Sequence, residues 1–442
     1  MYFYGGSHIV TMHFLEYGTI RKKGEHRVAL IYPNLYKAGN CNLGFLLVYN
    51  LINDTESFQC ERFFTDFPKS IETNSILEDF DILAFSCSFE MDFFTIHEIA
   101  QRFPHKLRVM GGRTTYNPYP LKEDIDLFFV GDCEESLPEF LHRYENNEDW
   151  TSIEGIFTGS PTSANHSPLG YHPIYQPIQW GDFQEAFRKS FLIEISRGCS
   201  RTCKFCLVSH CLGKKRERSV DQIDRILQNG IHSTRFETVV LIGPGSHSRM
   251  SEIIEVCSPY RVSLPSMRIE DISAELLEAV HPETVTIAPE TSESLRVQLG
   301  KGMTDEDIMK KVQICSEHVR KLKLYFMVGL PGETEGDLDE IIRLTRSISR
   351  FIPTTVTVSP FVPKNHTPFA DHIYDTGAVE KSIRYLRRHI SFTGPSSRKG
   401  FIQWALSVGD EQTSRLLNDR HYASWKRIEP QKMEQKWKSI SV

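Results

Sequence analysis

The stretch Phe191-Leu-Ile-Glu-Ile-Ser-Arg-Gly-Cys-Ser-Arg-Thr-Cys-Lys-Phe-Cys206 decides how the rest of this chain is read. Its apolar start, Phe191 to Ile195, predicts a buried strand. The strand runs directly into Cys199, Cys203 and Cys206, a C-x3-C-x2-C spacing with Phe205 just before the last cysteine. A cubane iron–sulfur cluster normally takes four thiolates. Three closely spaced thiolates with no fourth at a ligand-like interval leave one iron open to a substrate or cofactor. That pattern points to catalysis more than to electron storage. Zinc is the alternative reading, with His210 and Cys211 as nearby ligands, although zinc sites usually show paired C-x2-C motifs or cysteines with histidines.

Outward from this motif, the chain has ordinary proportions. A length of 442 residues allows two or three domains. Apolar (40%) and charged (24%) contents are those of a globular protein. No run of apolar residues is long enough for a membrane span, and Met1-Tyr-Phe-Tyr-Gly-Gly-Ser-His8 lacks the plan of a signal peptide. Ten cysteines in a chain of this size do not make a disulfide scaffold. Reduced thiols and a cluster lead us to expect a cytoplasmic protein. The net charge of −6 argues against broad binding to polyanions, so nucleic acid is not an expected partner. One local basic patch, Lys214-Lys-Arg-Glu-Arg218, reads as a contact surface or a solvated loop.

The chain before the motif alternates short apolar strands with helices. Strands are predicted at 27–32, 81–86, 107–111 and 125–130, and helices at 42–52, 91–102 and 136–144. This order means an α/β, doubly wound parallel sheet of Rossmann type. Ligands of such sheets sit outside the carboxyl ends of the strands. Asn34, Ser86, Cys87, Ser88, Gly111, Gly112, Thr114, Asn117 and Gly131 fall there, with Tyr36 beside them. Small residues at these ends let a large flat ligand approach the backbone.

After a Gly-, Pro- and Ser-rich stretch (Thr158 to Pro177), strands are predicted near 191–195, 237–242, 260–264, 284–288, 322–328 and 354–359. Six parallel strands with intervening helices predict a partial (β/α)6, TIM-like barrel, whose chemistry belongs at the carboxyl ends of its strands. The cysteine motif sits at the end of the first. The expected domains are an extension (1–25), a ligand-binding sheet domain (26–150), a linker (151–185), the barrel (186–375) and a mostly helical region (376–442). A polar interruption is expected at Thr393 to Lys399. The basic tail from Lys426 to Lys438 reads as a contact surface or as solvated.

The three cysteines resemble the motif of the radical S-adenosylmethionine (radical SAM) enzymes, and the likeness extends beyond them. Tyr32-Pro-Asn-Leu-Tyr-Lys-Ala-Gly-Asn-Cys-Asn-Leu-Gly-Phe45, Gly111-Gly-Arg-Thr-Thr-Tyr-Asn-Pro-Tyr-Pro120 and Val130-Gly-Asp-Cys-Glu-Glu135 look like the cobalamin-binding domain of the class B members. In the barrel, Thr286 to Arg296, Lys323 to Thr334 and Val358 to Phe369 resemble the fourth, fifth and sixth strand regions, and Gln403 to Glu411 resembles a stretch that follows the barrel. Two departures stand out. The Asp-x-His-x-x-Gly motif that ligates cobalt from below in many cobalamin proteins is absent, and Leu241-Ile-Gly-Pro-Gly-Ser246 replaces a Gly-Gly-Glu ending. The loop from Asn34 to Asn42 is then the candidate for the lower face of the corrin.

What the resemblance implies is specific. Cys199, Cys203 and Cys206 would hold a [4Fe-4S] cluster, and Arg268 and Glu290 would contact S-adenosyl-L-methionine. The sheet domain would hold cobalamin, as methylcobalamin. The reaction would be methylation of an unactivated sp3 carbon, with a 5′-deoxyadenosyl radical removing the hydrogen and an external one-electron reductant. A peptide or protein side chain is the expected substrate, a glutamine of methyl-coenzyme M reductase in particular. Methylthiolation of tRNA, with Cys41, Cys60 and Cys87 for a second cluster, is the second reading. A corrinoid-binding sensor with a structural cluster is the third.

Overall fold

The computed structural model describes residues 14–170, 175–245, 247–428 and 433–442. Residues 1–13 of the expected extension, 171–174 of the expected linker and Ser246 lie outside the described residues.

The N-terminal domain is a six-stranded sheet in the order β2-β1-β3-β4-β5-β6. Its strands are β1 (His26–Tyr32), β2 (Phe58–Phe64), β3 (Ile82–Ser86), β4 (Leu107–Gly111), β5 (Leu127–Phe129) and β6 (Ile156–Phe157). All neighbours are parallel except β6, which runs antiparallel to β5. The pleat sends alternate side chains to opposite faces. Val28 and Leu30 enter one core with α1 (Leu43–Asp54) and α3 (Ser136–Glu145). Ala29 and Ile31 enter the other with α2 (Phe93–Arg102), and that core is continuous with the second half of the barrel.

Two strands of this sheet escaped the sequence reading. In β2, Phe-Gln-Cys-Glu-Arg-Phe-Phe, the central charges break the apolar run, yet Glu61 and Arg62 are both buried. Arg62 is neutralised by Glu16 (2.7 Å) and Glu72 (2.6 Å), so the described part of the extension is tied into the sheet. β6 falls inside the segment expected as linker, and pairing through only two residues carries no periodicity.

The barrel strands are β7 (Ser190–Glu194), β10 (Thr238–Ile242), β11 (Arg261–Ser263), β12 (Thr284–Glu290), β13 (Lys321–Val328) and β14 (Thr354–Pro360). They form two parallel three-stranded ladders, β7-β10-β11 and β12-β13-β14. Between β7 and β10 a small antiparallel hairpin, β8 (Ser196–Arg197) and β9 (Arg216–Glu217), brackets the cysteine loop. The helices α4 (Val220–Ser233), α5 (Met250–Cys257), α6 (Ala274–Val280), α7 (Asp305–His318) and α8 (Glu335–Ser349) alternate with the strands. Thr304 with Asp307 and Thr334 with Asp337 form the capping boxes that start α7 and α8, as their spacing predicts.

Past the barrel, α9 (Thr376–Arg387) and α10 (Ser397–Val408) pack together. The break between them spans 388–396, a few residues before the expected interruption. Trp404 is buried against Tyr374 and belongs to the core. The end of the chain is not helical: Ile440–Ser441 pairs in parallel with Thr162–Ser163. In the tail, Trp437 is buried against His366 and Lys436 pairs with Glu411 at 2.9 Å, whereas Lys426, Arg427 and Lys438 are exposed and residues 429–432 lie outside the described residues. Among the described residues no helix is long and apolar enough to cross a membrane.

Candidate active site

The cysteines occupy the loop closed by β8 and β9, where Arg197 faces Arg216 across the hairpin. Gly198 turns the chain with φ +74°, and a Cβ there would lie 2.6 Å from the Lys214 carbonyl, so the loop neck demands glycine. Cys199, Cys203 and Cys206 are each half-buried. Lys204 donates its backbone N–H to Leu299 (2.9 Å), which docks the loop on the β12 end of the barrel. Phe205 packs with Leu299, Leu330 and Phe361.

This donor set fits a cluster better than zinc. A single zinc holds its sulfurs at about 2.3 Å and so draws them together. His210 spends Nε2 on the Cys203 carbonyl (3.2 Å), and Cys211 is buried with its thiol pushed up to about 12 by desolvation. Neither serves as the zinc ligand that the sequence left open. Burial also raises the Cys203 thiol, with Lys301 acting in the opposite direction. Arg268 Nη2 lies 3.1 Å from Cys199 Sγ. Two cations thus stand ready to balance thiolate charge.

Arg268 is therefore beside the cysteine loop. Glu290 ends β12 with φ +68°, a sparsely populated conformation for a residue with a Cβ. Its carboxylate accepts from Lys301 Nζ (2.7 Å), which also donates to the Ala288 carbonyl (2.6 Å).

A cavity of about 460 Å³ runs from the N-terminal domain to the barrel. Its floor is apolar: Val28, Leu30, Ile82 and Val109 of the sheet face Leu47 of α1 and Leu137 of α3. Its mouth is polar, with Asp132 and Glu134 opposite Glu194, Arg197 and Arg218 of the barrel. Arg197 binds Glu194 (2.8 Å), Asp132 (2.9 Å) and Glu134 (2.7 Å). Burial opposes the Arg197 charge, but hydrogen bonds and charge from Glu194, then from Glu134 and Asp132, raise its pKa overall. Arg216 and Arg218 turn inward to Asp132 (2.8 Å) and Glu194 (3.0 Å). The basic patch of the sequence is consequently half consumed by these pairs.

The sequence-predicted residues divide. Ser86, Ser88, Gly111, Gly112 and Gly131 line the cavity. Five others do not. Asn34 donates to Asp92 (2.8 Å). Tyr36 is buried, with its hydroxyl on Glu16 (2.5 Å). Cys87 is buried on the opposite face, its thiol raised to about 12 by desolvation. Thr114 donates to the Cys87 carbonyl (3.2 Å). Asn117 holds the carbonyls of Ser407 and Gly409 at the end of α10. Gly112 has a packing reason besides its place in the lining. Its φ is +107°, and a Cβ would stand 2.1 Å from the Cys87 carbonyl. Of the Asn34–Asn42 loop, Cys41 and Asn42 reach the cavity. Sequence reasoning missed the apolar floor and the charged mouth. A signal for the mouth existed in Asp132 and Glu134 just past a strand end and in the Glu194–Arg197 spacing.

Comparison with known proteins follows the same division. The radical SAM superfamily model matches residues 193–345, and the model of radical SAM proteins' N-terminal region matches residues 44–157. A protein of Methanocaldococcus jannaschii, MJ0966, of unknown function, is 30% identical over 88% of this chain and 90% of its own. The chain belongs to the radical SAM superfamily. A radical SAM protein is built around a [4Fe-4S] cluster and S-adenosylmethionine, and Cys199, Cys203 and Cys206, which fall within the matched residues, are the cysteines that would hold that cluster. The tRNA-2-methylthio-N(6)-dimethylallyladenosine synthase of Aquifex aeolicus is 24% identical over 74% of this chain and 77% of its own. Other tRNA methylthiotransferase relatives align over only about half of their length. Among solved structures, the radical S-adenosylmethionine methyltransferase TsrM of Kitasatospora setae, with cobalamin and a [4Fe-4S] cluster bound, superposes with TM-score 0.58. It is 15% identical over 80% of this chain and 78% of its own, a likeness of fold.

Proposed function

We propose that this radical SAM protein is a corrinoid-dependent C-methyltransferase acting on an sp3 carbon, and that a peptide or protein side chain is its substrate. The observation that carries this reading is the cavity. It runs from an apolar slot beneath α1 and α3 to the carboxyl ends of the sheet, and its far wall is the strand that feeds the cysteine loop. A planar macrocycle would rest on the strand ends and an aromatic substituent would fill the slot. Bound together, the cluster, S-adenosylmethionine and a corrinoid supply a carbon-centred radical and a methyl group. The chain's own part is to hold these groups in register and to exclude water: Arg268 and Lys301 balance charge beside the loop, Glu290 is fixed at the β12 end, and the apolar floor stays dry. Proximity of this kind makes the transfer effectively unimolecular.

The second reading, methylthiolation of tRNA, draws on the curated relatives. A second cluster from Cys41, Cys60 and Cys87 is disfavoured by the sheet itself. Cys60 points into one core and Cys87 into the other, so their thiols cannot meet without unravelling the strands.

The deciding experiment is anaerobic reconstitution with iron, sulfide and hydroxocobalamin. Reaction with S-adenosylmethionine, a low-potential reductant and candidate peptides is then read by mass spectrometry. The expected outcome is one cluster per chain, 5′-deoxyadenosine formation and a peptide heavier by one methylene. The glutamine region of methyl-coenzyme M reductase is one peptide to include, although no relative described above points to it. Two clusters per chain, or a methylthio group on tRNA, would overturn the proposal.

A further inference from the structure

We infer that Asp132 is a positioning residue that couples occupation of the cavity to the geometry of the cysteine loop. The inference rests on the corrinoid reading only for the choice of probe.

Asp132 follows β5 on the loop that forms the cavity mouth. Its backbone is pinned, with the N–H donating to the Asn165 carbonyl (2.9 Å). Its carboxylate reaches across the domain boundary in two directions. Oδ1 meets Arg197 on β8 at 2.9 Å, and Oδ2 meets Arg216 on β9 at 2.8 Å. Oδ2 also accepts the backbone N–H of Ser167 (3.0 Å). Arg197 and Arg216 are direct cross-strand partners at the neck of the hairpin. Like charges placed opposite each other across an antiparallel pair repel. One carboxylate between them turns that repulsion into a clamp.

The two arginines do not depend on Asp132 equally. Arg197 has Glu194 and Glu134 as further partners. Among the described residues, Asp132 is the one carboxylate paired with Arg216, whose Nε is buried without a partner. The clamp is well shielded: the Asp132 side chain is 8% exposed, Arg197 14% and Arg216 20%. A ligand that presses on the Gly131–Glu134 loop must move Asp132. That motion shifts both strands that lead to Cys199 and back from the loop. Cavity and cluster site are then linked through one carboxylate, with no path through the hydrophobic core.

The test titrates hydroxocobalamin into the full chain, anaerobically, with and without its iron–sulfur cluster. Wild type, Asp132→Asn and Arg216→Gln are compared. Linkage is reciprocal: whatever the cavity ligand does to the loop, the loaded loop does to ligand affinity by the same factor. The expected wild-type ratio of affinities is about 5-fold or more. It falls toward one in both variants, and the change that hydroxocobalamin induces in the EPR spectrum of the reduced cluster is lost with it. A ratio near one in wild type overturns the inference, as does a wild-type ratio kept by both variants. If Asp132→Asn does not fold, Arg216→Gln tests the clamp from the barrel side. Wild-type protein that takes up no hydroxocobalamin refutes the corrinoid reading instead. The clamp is then read from hydrogen exchange of residues 198–215 in cluster-loaded protein, where severalfold faster exchange in the variants upholds it and unchanged exchange overturns it.

Discussion

Replacing Glu90 by glutamine should loosen the joint between the two domains, and the size of the effect follows from the geometry. Glu90 follows β3 and is 8% exposed. Its Oε1 accepts from Lys364, just past β14, at 2.5 Å, and its Oε2 accepts from Gln403 of α10 at 3.0 Å. One carboxylate therefore joins the sheet domain, the barrel and the C-terminal helix. At an effective dielectric of about 20, unit charges about 4 Å apart attract by about 4 kcal/mol. Desolvating the carboxylate cancels much of that gain. A fully buried pair that loses one member costs about 3–5 kcal/mol, and an exposed pair is worth about 0–1 kcal/mol. Lys364 retains 21% of its side-chain exposure, so the expected loss at neutral pH is about 2 kcal/mol, between those limits.

The same substitution has a defined pH dependence. Burial, the largest influence, pushes the Glu90 carboxyl up, but Lys364, Gln403 and a backbone donor outweigh it and hold it below the ordinary value. A carboxyl depressed in the native state contributes stability above its unfolded pKa, about 4.3. That contribution is lost as the pH falls through the lower native value. Wild type and Glu90→Gln should differ at neutral pH and converge on acidification. Urea unfolding followed by tryptophan fluorescence measures this, since Trp404 and Trp425 lie in the core shared by the two domains. Equal stability at neutral pH, or a gap that persists undiminished in acid, would refute the reasoning.

Three further outcomes are expected. Arg62→Met strands Glu16 and Glu72 in the sheet core and should cost about 3–5 kcal/mol, read as a fall in thermal midpoint by calorimetry. Alanine at Cys199, Cys203 or Cys206 should abolish the cluster absorption of reconstituted protein, whereas alanine at Cys41 should leave iron per chain unchanged; iron lost in Cys41→Ala would favour a second cluster. Asp92 is raised to about 6, first by desolvation, with Asn34 opposing. The native state thus favours its protonated form, and stability falls as the pH rises from the unfolded value through 6. Asp92→Asn should therefore gain about 1 kcal/mol at neutral pH after allowance for solvent screening and nothing near pH 3, as denaturation midpoints at the two pH values would report.

Much of this protein was readable from local pattern. Short apolar runs marked β1, β3, β4, β5, β7 and β10, because strands covered on both faces need no alternation, and β12, β13 and β14 were marked by alternating buried residues such as Val285 and Ile287, Leu322 and Leu324, and Val356 and Val358. The spacing of Cys199, Cys203 and Cys206 marked the loop that the hairpin of β8 and β9 brackets, because all three thiols lie within a few consecutive residues. What failed was local pattern interrupted by charge. Glu61 and Arg62 concealed β2, since their partners Glu16 and Glu72 lie elsewhere in the chain.

By itself, then, the order of residues determined the strand-and-helix alternation, the doubly wound sheet followed by a barrel, and the clustering of three cysteines on one loop. These depend on interactions between near neighbours or on the apolar character of single segments. Only the tertiary structure decided which face of the sheet opens as a cavity, because Val28 and Ala29 are equally apolar and differ only in the side to which the pleat turns them. Only the tertiary structure could bring Asp132 between Arg197 and Arg216, or Glu90 to Lys364. A charge buried at a domain boundary is tolerable only if its partner arrives from a distant part of the chain, and that meeting is a property of the fold.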